Sequence, residues 1–551
     1  MISRSLGHRA PLLWIVIPMM AGLVLGSTTA AIPISATIGT ALAALVLAGC
    51  SLRAEGNRRL LGAVVVAGVC AGYLSYHLNN TRLEAWQKLP PREVCVDLEV
   101  TRIFVQADPK RVSGFGTIRG TDAHLRELRS HPVYFSLQVA PGEAAPLRSA
   151  EISALGVLIA VPAMVAPGSF DAYLASAGIH FRLSRGRILD TRAPPSRYRV
   201  FCQHGLDHFS RLLSVGVDEK RPELTAVLRA MLLGQKHELS DEQGTSFMRS
   251  GTMHLFAISG LHISVIAVGL QALLTLLRLP ANVRFTMGMG ALWLYVDITG
   301  GAPSAVRAFI MVVLFELARS FRTPGNPLSA LAASALIVVL VWPLQIFSAS
   351  FQMSYGIVAA LLLLGLPLAA AWQERWSCFR LVPKTTWRWY HHRLDAFYRD
   401  ATSALAIGLA TTLVSTLAGL YYFQLLTPVA VLANLLLIPA SGVVILSGFA
   451  SLLAGLAGME SLSGLFNHSA VLVLAIIDFV VQRAIDLPGA WSVATFNSEW
   501  IGPAAHLALG VAIVAGYQSN WAGHRGSWWP PFAIVAVVLL IGVDYTDPAN
   551  P

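Results

Sequence analysis

Residues 253–266 read MHLFAISGLHISVI. The stretch is apolar enough to lie in a bilayer, yet it carries His254, Ser259, Gly260 and His262. On an α-helix the two histidines stand eight residues apart, within about 80° of each other. Gly260 weakens a helix by roughly 1 kcal/mol, and Ser259 competes for backbone carbonyls. The segment therefore reads as a tightly packed helix that breaks near its middle. Broken backbone at membrane depth is tolerated only where protein or water surrounds it. The plainer alternative makes Ala257, Gly260 and Ser264 a small-residue seam between helices, with each histidine satisfied by one interhelical hydrogen bond.

The rest of the chain puts this stretch in a membrane. Of 551 residues 55% are hydrophobic and only 13% charged, and the mean hydropathy is +0.60. That composition lies outside the soluble range. Apolar runs occur at 11–31, 33–50, 60–78, 253–277, 283–299, 303–320, 327–342, 350–371, 402–420, 428–457, 463–482, 501–518 and 531–543. Most approach the roughly 20 residues that cross about 30 Å of hydrocarbon. Pro439 is a candidate break in the run from 428. The first run reads as an anchor rather than a signal peptide, although residues 28–31 form a weak cleavage site.

Residues 79–200 differ. Val94, Val96, Leu98 and Val100 alternate with polar residues, as do residues 134–139 and 155–161, and Gly/Pro clusters separate the runs. Period-two alternation predicts a small all-β domain, a barrel or a sandwich. It is mildly basic, with fourteen Lys/Arg against ten Asp/Glu between Arg92 and Arg199. Residues 201–252 mix charge with apolar residues at helical spacing and predict short amphipathic helices on the membrane surface.

The net charge of +10 fits basic cytoplasmic loops or an anionic cargo. With the N-terminus inside, Arg53, Arg58, Arg59, Arg278, Arg284, Arg319, Arg322 and the basic 373–400 loop all fall inside. The β domain then lies outside, as do the turns at 299–303, 343–349 and 421–427, which hold no Lys or Arg. The expected fold is thus a polytopic α-helical membrane protein with an extracytoplasmic β domain inserted after the first three helices. Its parts are membrane helices at 1–78, the β domain at 79–200, interfacial helices at 201–252, a transmembrane domain at 253–545 and a tail at 546–551.

Further polar residues fall at membrane depth. Arg307 lies one turn past Pro303 and Asp297 one turn before the same bend, so the two are candidates to pair across a hairpin. Glu316 lies nine residues past Arg307 on a similar face. Intramembrane charges are functional by default, with a structural ion pair as the alternative. Gln352, Ser354 and Asn434 add neutral polar groups. Of five cysteines, Cys50 and Cys70 read as packing residues, and Cys95 and Cys202 are a candidate disulfide if their region is outside. No CxxC or His/Cys metal spacing, no HxHxDH cluster and no Walker sequence is present, so neither a cofactor, nuclease nor ATPase activity is expected.

AMLLGQKHELSDEQGTSFMRSGTMHLFAISGLHIS (230–264), PSAVRAFIM (303–311), NPLSALAASALIVVLVWPLQIFSASFQMSY (326–355), LYYFQLLTPVAVLANLLLIP (420–439) and APGSFDAYLASAGIHF (166–181) together resemble the ComEC competence family. The resemblance implies an inner-membrane channel that passes single-stranded DNA into the cytoplasm during natural transformation, helped by a DNA receptor and a helicase. It implies that the β domain is OB-like and engages DNA by a basic groove and stacking aromatics. Phe104, Phe115, Tyr134 and Phe135 are candidates to stack, and Arg102, Lys110, Arg111 and Arg119 to meet phosphates. The candidate DNA path comprises His254, Ser259, Gly260, His262, Arg307 and Gln352, with Asp297 and Glu316 as charge partners. Many members continue into a metallo-β-lactamase-like domain; this sequence ends at Pro551 and reads as a short form. A secondary transporter of a small anionic solute or nucleotide and an intramembrane hydrolase built on Ser259 are the competing readings. A homodimer with the pore between subunits is a further arrangement.

Overall fold

The structure is a computed structural model. It describes residues 6–546 apart from 29–31, 52–56, 81, 88, 105, 107, 109, 122, 141, 164, 167, 257, 322–324, 377–378, 380–381 and 522–527. Residues 29–31 of the cleavage-site candidate, the loop cations Arg53, Arg322 and Arg380, Ala257 and the tail beyond Thr546 lie outside the described residues.

Three apolar helices come first: α1 (Leu13–Thr28), α2 (Ile34–Ser51) and α3 (Asn57–Asn79). Gly22 of α1 faces the Val69 carbonyl and Gly72 of α3 faces the Met19 carbonyl. No Cβ fits between backbones this close, which is how small residues join membrane helices.

Five strands follow: β1 (Arg92–Phe104), β2 (Arg111–Thr121), β3 (Pro132–Gln138), β4 (Glu151–Ala160) and β5 (Phe181–Ala193). They close into a barrel in the order β1-β2-β3-β5-β4. The β3–β5 pair is parallel and the other four are antiparallel. This is the Greek-key barrel of the OB fold. Alternation explains it. Val133, Phe135 and Leu137 fill the barrel with Leu98, Ile118 and Leu183, while Tyr134 and Ser136 point outward. Each large side chain so buried contributes about 1.5–3 kcal/mol. Between β4 and β5 runs the short helix α4 (Phe170–Ser176), where the Ala172 N–H donates to Ser169 Oγ at 3.1 Å as an N-cap.

The next three helices are α5 (Arg197–Ser214), α6 (Pro222–Leu233) and α7 (Asp241–Arg249). α6 departs from the surface position expected for it, because nine of its twelve residues are buried. Leu228, Met231 and Leu232 enter the main helical core instead.

The helical body contains α8 (Gly260–Leu276), α9 (Ala281–Ile298), α10 (Pro303–Ser320), α11 (Pro327–Val341), α12 (Ala349–Arg375), α13 (Trp389–Phe423), α14 (Ala430–Leu456), α15 (Glu460–Ile485), α16 (Ile501–Gln518) and α17 (Trp529–Ile541). Leu60–Asn79 within α3 and the helices α12 to α16 are each long and apolar enough to cross a membrane. The chain is a multi-pass membrane protein with an OB-like barrel after its early helices. Pro439 does not end a helix, because α14 runs through it. Pro367 follows a π-turn at Leu361–Gly365, and the Leu363 carbonyl that it leaves without a helical N–H accepts from Trp521 Nε1 at 2.9 Å. A small sheet of Leu425–Leu426, Ser492–Phe496 and Val543–Thr546 was not expected. It ties the ends of the last helices together.

Candidate functional site

Arg307 sits one turn into α10 and is 1% exposed. Its Nη1 donates to Gln345 Oε1 at 3.2 Å. Its Nη2 donates to the Ser350 carbonyl at 2.7 Å, to Ser350 Oγ at 2.5 Å and to Ser354 Oγ at 2.9 Å. Every one of these acceptors is neutral. No ion pair among the described residues includes Arg307, and its Nε has no hydrogen-bond partner. Gln345 belongs to the 3₁₀ turn Pro343–Phe347 and the serines to the first turns of α12. Gln352 braces that turn by donating from Nε2 to the Ile346 carbonyl at 3.1 Å.

The expected pairing of Arg307 with Asp297 does not form. Asp297 faces the barrel side, where Oδ1 accepts from Arg199 of α5 at 2.7 Å and from Arg148, just before β4, at 3.2 Å. Burial and the neighbouring Arg199 hold the Arg148 guanidinium below its usual range, with Asp297 opposing them. Glu316 does not serve Arg307 either. It pairs with Arg319 at 3.0 Å, near the far end of α10.

The opening stretch is broken, as its glycine and serine predict, but the break separates the histidines. Met253–Phe256 forms a 3₁₀ turn and α8 starts only at Gly260. Ser259 Oγ lies 2.9 Å from His262 Nδ1, and the Ser259 N–H donates to the same nitrogen at 3.3 Å. His262 thus plays the returning part of a capping box. It is buried, and its Nε2 has no partner. His254 is exposed, with Nδ1 3.1 Å from the Gly251 carbonyl. Ser304 Oγ donates to the Ile258 carbonyl at 2.9 Å, and the side of Gly260 faces Ala308. These contacts set the break beside the turn of α10 that carries Arg307. The Ser259–His262 pair lacks what a nucleophile needs, since nothing orients the second imidazole nitrogen.

On the barrel, Phe104, Phe115 and Tyr134 gather on the outer face of β1, β2 and β3. Ring centroids are 4.9 Å apart for Phe104–Phe115 and 6.4 Å for Phe115–Tyr134. α4 adds Phe170, 4.9 Å from Tyr134, and Tyr173, 6.1 Å from Phe115. Both are exposed, at 45% and 39%. Arg102 lies over Phe104 and Arg182 over Phe170, at 5.0 and 5.7 Å. Phe170 and Tyr173 were not legible from the sequence, because a helix between strands carries no alternation signal, and Arg182, at the start of β5, is brought to them by the barrel's closure. Phe135 is no stacking residue; it is fully buried in the barrel. Arg119 pairs with Glu99. Arg111 donates to Ser136 Oγ at 3.4 Å. Exposed Lys110 closes a turn by donating its N–H to Asp108 at 2.9 Å.

The barrel meets the body at this same place. α4 packs on the Pro343–Phe347 turn, Leu344 approaches Gly178, and Gly168, at φ +77°, faces the Tyr422 carbonyl. The aromatic cluster therefore stands over the turn whose Gln345 holds Arg307. His180, at the end of this excursion, is buried with both ring nitrogens unpartnered. Burial, then Arg82 and His131, push its pKa down to about 4. Cys95 in β1 and Cys202 in α5 are both free thiols, so the candidate disulfide is absent. Among the described residues, no group of three or more His, Cys, Asp or Glu side chains is placed to hold a metal ion.

The sequence matches the family described as Competence protein over residues 231–521, more than half of the chain. It is 29% identical to "ComE operon protein 3" of Bacillus subtilis (strain 168) over 202 residues, 36% of this chain and 25% of that protein. It is 24% identical to "Recombination protein 2" of Haemophilus influenzae over 302 residues, 53% of this chain and 34% of that protein. The chain thus aligns with about a quarter and a third of these relatives' lengths. No solved structure matches it.

Proposed function

The chain belongs to the competence protein family, and from that premise we propose that it acts in DNA uptake, as the channel through which a single strand crosses the membrane during natural transformation. The observation that carries the proposal is Arg307, a buried cation held only by neutral acceptors. A buried charge without a counter-charge costs several kcal/mol. A phosphodiester supplies the missing charge once per nucleotide, and it is released as easily as it is bound because the serines and Gln345 take its place. Conduction needs sites of that kind, favourable but weak.

In this reading the barrel lies outside the membrane and the N-terminus inside. Bases stack on Phe104, Phe115, Tyr134, Phe170 and Tyr173, and the strand then descends at the Pro343–Phe347 turn. Arg307 is closed off as it stands, so passage requires this turn to move away and free the guanidinium. Exposed His254 and the open side of Gly260 line the next step, with buried His262 capping α8 behind them. Asp297, bonded to Arg148 and Arg199, keeps the barrel seated over the entrance. Force comes from a cytoplasmic helicase and delivery from an extracytoplasmic receptor. The role is transport rather than catalysis.

The test is uptake of labelled DNA in a strain that lacks the protein, complemented with wild type, Arg307→Met or Arg307→Lys at equal membrane levels. Methionine keeps the volume and removes the charge. The expected result is capture of DNA at the surface without entry for Arg307→Met, and partial entry for Arg307→Lys. Normal entry in Arg307→Met would remove Arg307 from the path. Normal entry in the deletion strain would move the small-anion transporter to the front.

A further inference from the structure

At the end of the α8–α9–α10 group away from Asp297 and Arg307 lies a second basic feature, a pocket of about 590 Å³. Arg278 from the α8–α9 turn, Arg284 of α9 and Arg319 of α10 line it, with Glu316 as its carboxylate. Glu316 is taken by Arg319 at 3.0 Å. Among the described residues neither Arg278 nor Arg284 meets a carboxylate, and Arg284 donates instead to Thr275 Oγ1 at 3.2 Å.

Helix electrostatics do not explain this set. Arg278 follows the α8 C-terminus, where a cation is favourable, but Arg284 lies in the first turns of α9, where the dipole opposes it. Arg278 also holds a left-handed backbone, φ +55°, a conformation normally left to glycine at a helix end. Arg284 is thus kept against the helix dipole and Arg278 on a backbone that favours glycine, both facing one hollow. The wall above them is apolar. Val268, Ala272 and Leu276 form an exposed i, i+4, i+8 stripe on α8, with Val268 70% and Leu276 78% exposed. A polar strand gains nothing from such a stripe, whereas an acyl chain does.

We infer that this hollow binds the phosphate headgroup of an anionic phospholipid, with Arg278 and Arg284 on the phosphate and an acyl chain along Val268, Ala272 and Leu276. Basic pockets between membrane helices take headgroups in this way. The inference rests on the chain being a multi-pass membrane protein and is independent of the DNA reading. The lipid would fix the inner ends of the helices whose outer ends carry Asp297 and Arg307.

The experiment is native mass spectrometry of the full chain extracted from vesicles of equal phosphatidylglycerol and phosphatidylcholine, scoring which lipid stays bound. Arg278→Gly removes one cation while suiting the left-handed backbone, and Arg284→Gln removes the other. Each cation near the headgroup is expected to supply about fivefold preference. Wild type should retain phosphatidylglycerol preferentially, each single variant should lose about fivefold of that preference, and the double variant should approach parity. Circular dichroism and elution volume check the fold, and Arg284→Lys should keep most of the preference. No preference in wild type, or one unchanged in both folded single variants, overturns the inference. Retention of a short oligodeoxynucleotide that Arg284→Gln abolishes, with no Arg284-dependent preference for phosphatidylglycerol, also overturns it and makes the hollow a strand exit.

Discussion

The arginines of the barrel and Arg307 of the helical body are held in opposite ways. On the barrel, Arg119 meets Glu99, Arg182 meets Asp171 at 2.9 Å and Arg192 meets Asp97 at 3.0 Å, with Arg119 and Arg192 open to water and Arg182 half-buried. In the body, Arg307 is buried and meets only amide, hydroxyl and peptide oxygens. The first arrangement is cheap and individually nearly worthless for stability, about 0–1 kcal/mol a pair. The second is expensive and yields no ion pair in return. The difference separates charges that keep a surface soluble from a charge retained at a cost to the fold. Asp297 stands between the two, a body carboxylate spent on two cations from the barrel side.

Substitutions sharpen this contrast in order of size. Removing the Arg307 charge should have the largest effect on function and little on stability. Charge-assisted contacts are worth about 1.5–3 kcal/mol, so Arg307→Met should lower strand entry by about 100-fold. Its thermal unfolding in detergent should stay close to wild type, since a buried lone charge is replaced by an apolar side chain of similar length. Equal loss of both would make Arg307 a structural pin. Asp297→Ala should cost about 3 kcal/mol, because Arg148 and Arg199 lose their shared carboxylate. Hydrogen exchange should then rise around residues 147–150 and 197–200, where barrel and body join, while β2 stays protected. Unchanged exchange there would show that the junction is held by packing alone.

His180 gives a pH dependence with a definite sign. Its folded pKa, about 4, lies below the ordinary 6.5, so between these values the unfolded chain binds a proton that the folded barrel does not. Stability should fall as pH drops through that window, by up to about 3 kcal/mol. His180→Leu should flatten the profile between pH 6.5 and 4, and a wild-type profile already flat would contradict the burial argument. Phe170→Ala and Tyr173→Ala should each weaken binding of an oligothymidine by about 1–2 kcal/mol, read by fluorescence anisotropy, with the barrel fold unchanged. Arg119→Ala should be the smallest change, under about 1 kcal/mol in stability; a larger loss would mean that the Glu99 pair is more than a surface contact.

Much of the fold was legible because the signals are local. Alternation in residues such as Val94, Val96 and Leu98 announces strands, and long apolar runs announce membrane helices. The barrel's strand order was not legible from alternation, which is silent on partners; the OB-like expectation came from the family resemblance. α6 misled because its charged neighbours suggested a surface, while Leu228, Met231 and Leu232 are needed in the core. At the site, Arg307 was found from its charge at membrane depth. Its partners were not, because Gln345, Ser350 and Ser354 are neutral and lie about forty residues on. Proximity in sequence favoured Asp297 and Glu316, and both turned out to serve other arginines.

The central claim is that a strand passes beside Arg307, and crosslinking tests it directly. A photoreactive residue is placed at Ser354, whose hydroxyl lies 2.9 Å from the Arg307 guanidinium, and at Val268 on the exposed face of α8 as a control. DNA capped at its trailing end by streptavidin stalls during uptake, and the sample is irradiated. The stalled strand is expected to attach at position 354 and not at position 268. Attachment at 268 alone, or none at 354 while uncapped DNA still enters, would contradict it.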